Sequence, residues 1–152
     1  MKKILIIYTG GTIGMDYTPQ GLMPVPGLFK SQIDTLEPIQ DVQIDLIEYE
    51  QLIDSSDVKL EHWQRMIQDI ADNYESYDGF IIIHGTDTMA YSASVLSFAL
   101  RGLDKPVVLT GSQLPLVHRR SDGWNNLIDA LFAANRSDLN EVAIAFNNKL
   151  LR

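Results

Sequence analysis

Gly79–Thr88 reads GFIIIHGTDT, and Phe80–Ile83 are apolar at every position rather than at alternate ones. A strand with one wet face alternates, whereas a strand apolar on both faces belongs to a sheet covered on both sides, the usual situation of parallel sheets. Working outward, the same continuous pattern recurs in KPVVLTG (Lys105–Gly111) and in the opening KKILIIYTGG (Lys2–Gly11). Candidate strands are Lys3–Thr9, Gln43–Tyr49, Gly79–His84, Pro106–Thr110 and Val142–Phe146. Helical periodicity predicts Val58–Asn73 with Asp57 as N-cap, Met89–Leu100, Gly123–Asn135 and a weaker helix at Leu28–Leu36. A helix precedes each of the last three strands. Right-handed crossovers and an α/β fold follow, with a doubly wound, mostly parallel sheet of Rossmann-like or flavodoxin-like kind.

The chain has 152 residues, enough for one domain over 1–152 with a core of its own. It contains no cysteine, so thiol catalysis, disulfides and cysteine metal sites are excluded, and the default compartment is the cytoplasm. Lys2 and Lys3 precede an apolar run too short for a signal peptide. No stretch approaches the roughly 20 apolar residues of a membrane helix. The net charge of -8 repels phosphate backbones, so neither nucleic acid nor membrane is an expected partner.

Ligands of open α/β sheets bind beyond the carboxyl ends of the strands, and those ends are rich in hydroxyls. The first runs into TGGT, the second into LIDSSD, the third into HGTDT and the fourth into TGSQ. Taken singly, each has a structural explanation: glycines for a sharp turn, Ser, Thr or Asp for helix caps. His84 at the end of an apolar strand reads as a satisfied core histidine, and His62 and His118 lack metal-ligand spacing. Trp63 and Trp124 read as packing residues. The GGTIG at Gly10–Gly14 is not the GxGxxG of dinucleotide folds, and neither GK[ST] nor GxSxG occurs. What remains is hydroxyl and carboxylate chemistry, with a threonine as a reasonable nucleophile for acyl transfer.

Together, YTGGTIGM, LIDSSD, GFIIIHGTDTMAYSAS, KPVVLTGSQLPL and RSDGWNNLIDAL closely resemble the bacterial L-asparaginase family, in particular its cytoplasmic type I branch. The resemblance runs along essentially the whole chain in the family's order. It implies hydrolysis of L-asparagine to L-aspartate and ammonia through an acyl-enzyme, without metal or organic cofactor. On that reading Thr12 is the nucleophile and Thr86 the second catalytic threonine, assisted by a lysine and by the carboxylate of Asp87. Ser55, with Asp54 and Ser56, holds the α-amino-acid end of the substrate, and Asp87 pairs with its ammonium. A homo-oligomer, dimer or tetramer, is implied for the full-length protein.

Two departures stand out. The family's loop tyrosine follows a Gln-Gly pair, but here Gln20-Gly21 precedes Leu22; Tyr17 either substitutes for it or is a surface aromatic. The family's catalytic lysine lies shortly after the strand that here reads EVAIAFNNKLLR, and none of Lys2, Lys3, Lys30, Lys59, Lys105 and Lys149 occupies that place. The chain is therefore expected to be the larger part of an N-terminal asparaginase domain, inactive by itself. The alternatives are an amidotransferase subunit supplying ammonia and a non-catalytic amino-acid-binding module.

Overall fold

The computed structural model describes residues 1–36 and 41–152. In chain order the elements are β1 (Lys2–Gly10), β2 (Met15–Thr18), β3 (Gly21–Pro24), α1 (Leu28–Ile33), β4 (Val42–Ile53), α2 (Leu60–Asn73), β5 (Gly79–Ile83), α3 (Met89–Ala99), β6 (Val107–Thr110), α4 (Gly123–Ala134), β7 (Val142–Phe146) and β8 (Lys149–Leu151). The main sheet has the order β4-β1-β5-β6-β7-β8. Pairing is parallel from β4 to β7, and β8 closes the far edge antiparallel. Counting only the parallel strands, the order is 2-1-3-4-5, the flavodoxin-like member of the doubly wound pair, whose ligand crevice opens between β1 and β5.

The unbroken apolar runs have a simple cause. Successive side chains of a strand point to opposite faces, and both faces are covered. Ile4, Ile6, Tyr8, Ile81, Ile83 and Val108 pack with Phe29 of α1 and with Leu127 and Leu131 of α4. Leu5, Ile7, Phe80, Ile82, Val107 and Leu109 pack with Met66 and Ile70 of α2 and with Leu96 of α3. Among the described residues no helix is long and apolar enough to cross a membrane.

Several expected boundaries shift. Asp57 does not cap α2: it ends a short 3-10 turn, Ser55–Asp57, after which Val58 is extended. The helix starts at Leu60 with Lys59 as the N-cap residue, and the His62 imidazole reaches back from the third helical position to accept the Lys59 N–H at 3.1 Å, the place a Glu or Gln takes in a capping box. β4 runs on to Ile53, because its last residues pack on the end of β1, where Gly10 pairs with Ile53 across a bulge. The helix expected over Leu28–Leu36 closes at Ile33. The hairpin of β2 and β3 and the edge strand β8 were not foreseen, since their side chains are largely exposed and carry no core pattern.

Candidate functional site

At the β1/β5 crevice three connections meet with almost no room between their backbones. Gly10 and Gly11 both have positive φ, 145° and 95°. A Cβ on Gly10 would collide with the Ile53 carbonyl, and one on Gly11 would sit 2.8 Å from the Gly85 amide nitrogen. A Cβ on Gly85 would in turn collide with the Ser55 hydroxyl. Glycine is thus required at three successive contacts, and these draw the connections carrying Thr12, Ser55 and Thr86–Asp87 onto one rim.

Within that rim Ser55 is the buried hinge point. Its Oγ accepts the Asp87 N–H at 3.3 Å, and its carbonyl accepts the Thr88 hydroxyl at 2.7 Å. Asp54 and Ser56 are exposed and bound to each other: the Asp54 carboxylate accepts the Ser56 N–H and O–H at 2.9 and 2.8 Å. The same two bonds hold the Asp54 carboxyl below the usual aspartate range. Thr12 and Thr86 are half-buried, and Asp87 is exposed. Among the described residues their side-chain oxygens have no hydrogen-bond partner, in contrast to nearly every other hydroxyl near the strand ends. Uncommitted hydroxyls and a carboxylate beside main-chain amides suit a small zwitterionic ligand better than a structural cap.

His84 is spoken for. The Gly85 carbonyl can only accept, so Nδ1 carries the proton and donates to it at 2.6 Å; Nε2 then accepts the Ser92 hydroxyl at 2.8 Å. Ser92 Oγ receives the Trp63 indole N–H at 2.8 Å. Burial also pushes the His84 pKa down, so the ring stays neutral and steers the Gly85 backbone rather than a proton. Trp63, read as a packing residue, is the head of this relay. The fourth connection, TGSQ, does not enter the rim: Ser112 is buried and donates to the Leu114 carbonyl at 2.6 Å.

Sequence reasoning missed Asn126. Its Nδ2 donates to the Gly111 carbonyl and its Oδ1 accepts the Asn147 N–H, both at 2.9 Å, so one buried amide joins the ends of β6 and β7. The only cue was an amide within the otherwise apolar inner face of α4. Tyr17 and Leu22 face each other across the β2–β3 hairpin, and Tyr17 leans toward His118, with ring centroids 6.4 Å apart. Lys2, Lys30, Lys59 and Lys105 are engaged with Asn135, Asp34, Asp57 and Tyr74 respectively. Among the described residues no group of three or more His, Asp or Glu could hold a metal ion. A cavity of about 720 Å³ lies between α3 and the start of β7, but none of the rim residues lines it.

Residues 3–152 match the family described as "Asparaginase, N-terminal". The chain is 49% identical over 154 residues to L-asparaginase 1 of Escherichia coli K12, covering 99% of this chain and 46% of that protein. The crystal structure of L-asparaginase I from Vibrio cholerae superposes with a TM-score of 0.91 at 47% identity, over 99% of this chain and 46% of that one. A probable cytoplasmic L-asparaginase from Campylobacter jejuni superposes with a TM-score of 0.77 at 35% identity, over 99% and 46%. The chain spans about half the length of the curated relatives it matches.

Proposed function

The chain belongs to the asparaginase N-terminal family, and on that premise we propose that it carries the nucleophile and the amino-acid-binding rim of a cytoplasmic, homo-oligomeric enzyme that hydrolyses L-asparagine to L-aspartate and ammonia. The observation that carries this reading is the series of close glycine contacts, Gly10 to the Ile53 backbone, Gly11 to the Gly85 backbone and Gly85 to the Ser55 side chain, at the sheet's switch point. Asparagine offers an ammonium, a carboxylate and a neutral amide. The uncommitted Asp87 carboxylate suits the ammonium. Ser55 Oγ already accepts the Asp87 N–H, which leaves its O–H free to donate to the α-carboxylate. Asp54 and Ser56 flank that position and keep the Ser55 turn in shape.

In the reaction Thr12 Oγ attacks the side-chain amide carbon, the C–N bond breaks with a proton delivered to nitrogen, and ammonia leaves an aspartyl ester on Thr12. Water then cleaves the ester and returns the proton to Thr12. Thr86, with a free hydroxyl, relays protons in both halves. His84 is not the base, because both ring nitrogens are committed. The test is ammonia release by the full-length protein, with L-asparagine and L-glutamine compared, followed by acid quench and peptide mass analysis. An aspartyl adduct on the peptide carrying Thr12 supports the assignment. Turnover with the adduct elsewhere would remove Thr12 from its role, and absence of asparagine hydrolysis would favour an amino-acid-binding module.

A further inference from the structure

Gly14 closes the turn that carries Thr12, yet its backbone does not require glycine, since its φ is not among the positive ones. What excludes a side chain there is Tyr8. A Cβ on Gly14 would collide with Tyr8 Oη, and would lie 2.5 Å from Cζ and 3.2 Å from Cε1, so the three nearest atoms all belong to that one phenol. Tyr8 is fully buried, its ring is stacked on Phe29 at 4.4 Å, and among the described residues its hydroxyl has no hydrogen-bond partner. A partnerless buried hydroxyl is a penalty that phenylalanine would avoid. Burial, followed by the charge of Glu48, raises the Tyr8 pKa, so the group is neither a base nor a phenolate here. The turn is also held by the Leu116 N–H, which donates to the Ile13 carbonyl at 3.0 Å.

We infer that Tyr8 is a positioning residue for Thr12: its hydroxyl and the missing side chain of Gly14 are a matched pair that sets the height of the Thr12–Gly14 turn above the sheet. The inference rests on the amidohydrolase reading of the rim. A turn held through Gly14 by Tyr8 and through Ile13 by Leu116 moves as a unit, and a displacement near 1 Å at a reacting group is enough to lower a rate by about 100-fold. A larger residue at 14 or a shorter one at 8 displaces the turn in opposite directions, so the two changes made together compensate.

The experiment uses the full-length protein and four variants, Gly14→Ala, Tyr8→Leu, Tyr8→Leu with Gly14→Ala, and Tyr8→Phe, with kcat, KM and thermal midpoint measured for each. Leucine ends at the level of the ring Cδ atoms and clears the new Cβ. Gly14→Ala is expected to lower kcat by about 30-fold or more with a smaller change in KM, and the double variant to recover at least about fivefold of that loss. Tyr8→Phe separates positioning from packing: removing the lone hydroxyl raises the thermal midpoint while kcat falls by about threefold or more, whereas a purely structural role moves both the same way. Should Gly14→Ala fail to fold, the Tyr8→Phe divergence decides. The inference is overturned if the wild type turns over asparagine and the double variant is no better than the poorer single one, or if Tyr8→Phe leaves kcat unchanged. A wild type without turnover fails the amidohydrolase reading instead, and the two failures are thereby told apart.

Discussion

The ends of β1 and β6 are built from nearly the same residues, Thr9-Gly10-Gly11-Thr12 and Thr110-Gly111-Ser112-Gln113, and the first two positions do the same work in both. The Thr9 hydroxyl donates to the Ile83 carbonyl of β5 at 2.7 Å, and the Thr110 hydroxyl donates to the Ala145 carbonyl of β7 at the same distance. Each glycine packs against the neighbour on the other side: Gly10 against the Ile53 carbonyl, Gly111 against the His84 carbonyl. A Thr-Gly pair thus finishes a parallel strand by tying it to one neighbour with a hydroxyl and to the other by bare backbone. The difference lies in the next two residues. After β6 the hydroxyl of Ser112 turns back into its own loop and is used up; after β1 a second glycine lets the backbone lie on Gly85, and the Thr12 hydroxyl is left unspent. A hydroxyl next to a strand end becomes chemistry only when packing leaves it no structural partner.

This contrast can be broken most decisively at Thr12. Thr12→Ala in the full-length protein is expected to lower asparagine turnover by about 10⁴-fold or more without moving the thermal midpoint, as removal of single members of comparable catalytic units does. Ser112→Ala should do the reverse, leaving kcat alone and destabilising by about 0.5–1.5 kcal/mol through one lost hydrogen bond, since the Leu114 carbonyl keeps the Ser121 hydroxyl at 3.0 Å. Calorimetry and an ammonia assay on the pair check both. If both variants lose activity and neither loses stability, the two strand ends are not different in kind.

Asp87→Asn comes next. Loss of the charge opposite the substrate ammonium is expected to weaken binding by about 2–5 kcal/mol, seen as a raised KM together with a reduced kcat. Unchanged affinity by titration of the inactive Thr12→Ala background would remove Asp87 from that role. Smaller still is the backbone strain of Gly11→Ala. With φ at 95° and Gly85 in the way, it should destabilise on the order of 1–3 kcal/mol and reduce activity as well, because the shifted segment carries Thr12. Gly111→Ala should destabilise comparably, because a Cβ there would collide with the His84 carbonyl, and lower activity less than Gly11→Ala, since the push reaches Thr86 and Asp87 only through His84 and Gly85.

The smallest effect is one of pH. Burial lowers the folded-state pKa of His84 below its ordinary value, so the unfolded chain binds more protons than the native one as acid is added. Stability from this group is intact above about pH 6.5 and is lost progressively as pH falls below it. A plot of thermal midpoint against pH is expected to bend downward there, and the bend should be shallower in His84→Gln. A bend of equal depth in both proteins would assign it to carboxylates.

How much was readable beforehand follows from burial. The inner parallel strands announced themselves because both faces are covered and successive positions are apolar, as in Val142–Phe146, whose bounds are the expected ones, whereas the edge strand β4 alternates polar and apolar residues. The β2–β3 hairpin and β8 left no such imprint, although the Asn147-Asn148 pair, with φ of 51° and 58°, is a tight-turn signal that marks the β7–β8 return. Asp57 has the residue type of an N-cap, yet the cap position falls on Lys59, whose N–H is bound by His62, because Asp57 is drawn into the 3-10 turn that carries Ser55.

By itself the sequence determined the α/β class, the set of parallel strands, and the concentration of Thr, Ser and Asp at their carboxyl ends, because each of these depends on local residue type and periodicity. It also carried the resemblance to asparaginases, in the order of its motifs. Tertiary structure decided which hydroxyls were left over. Thr9, Thr88 and Thr110 are chemically like Thr12 and Thr86, and among the described residues only the placement of carbonyls from strands and loops far away in the chain binds the former and leaves the latter open. Availability of a hydrogen-bonding group depends on what else reaches it, and that depends on contacts between residues dozens of positions apart, such as Gly11 with Gly85 and Gly10 with Ile53.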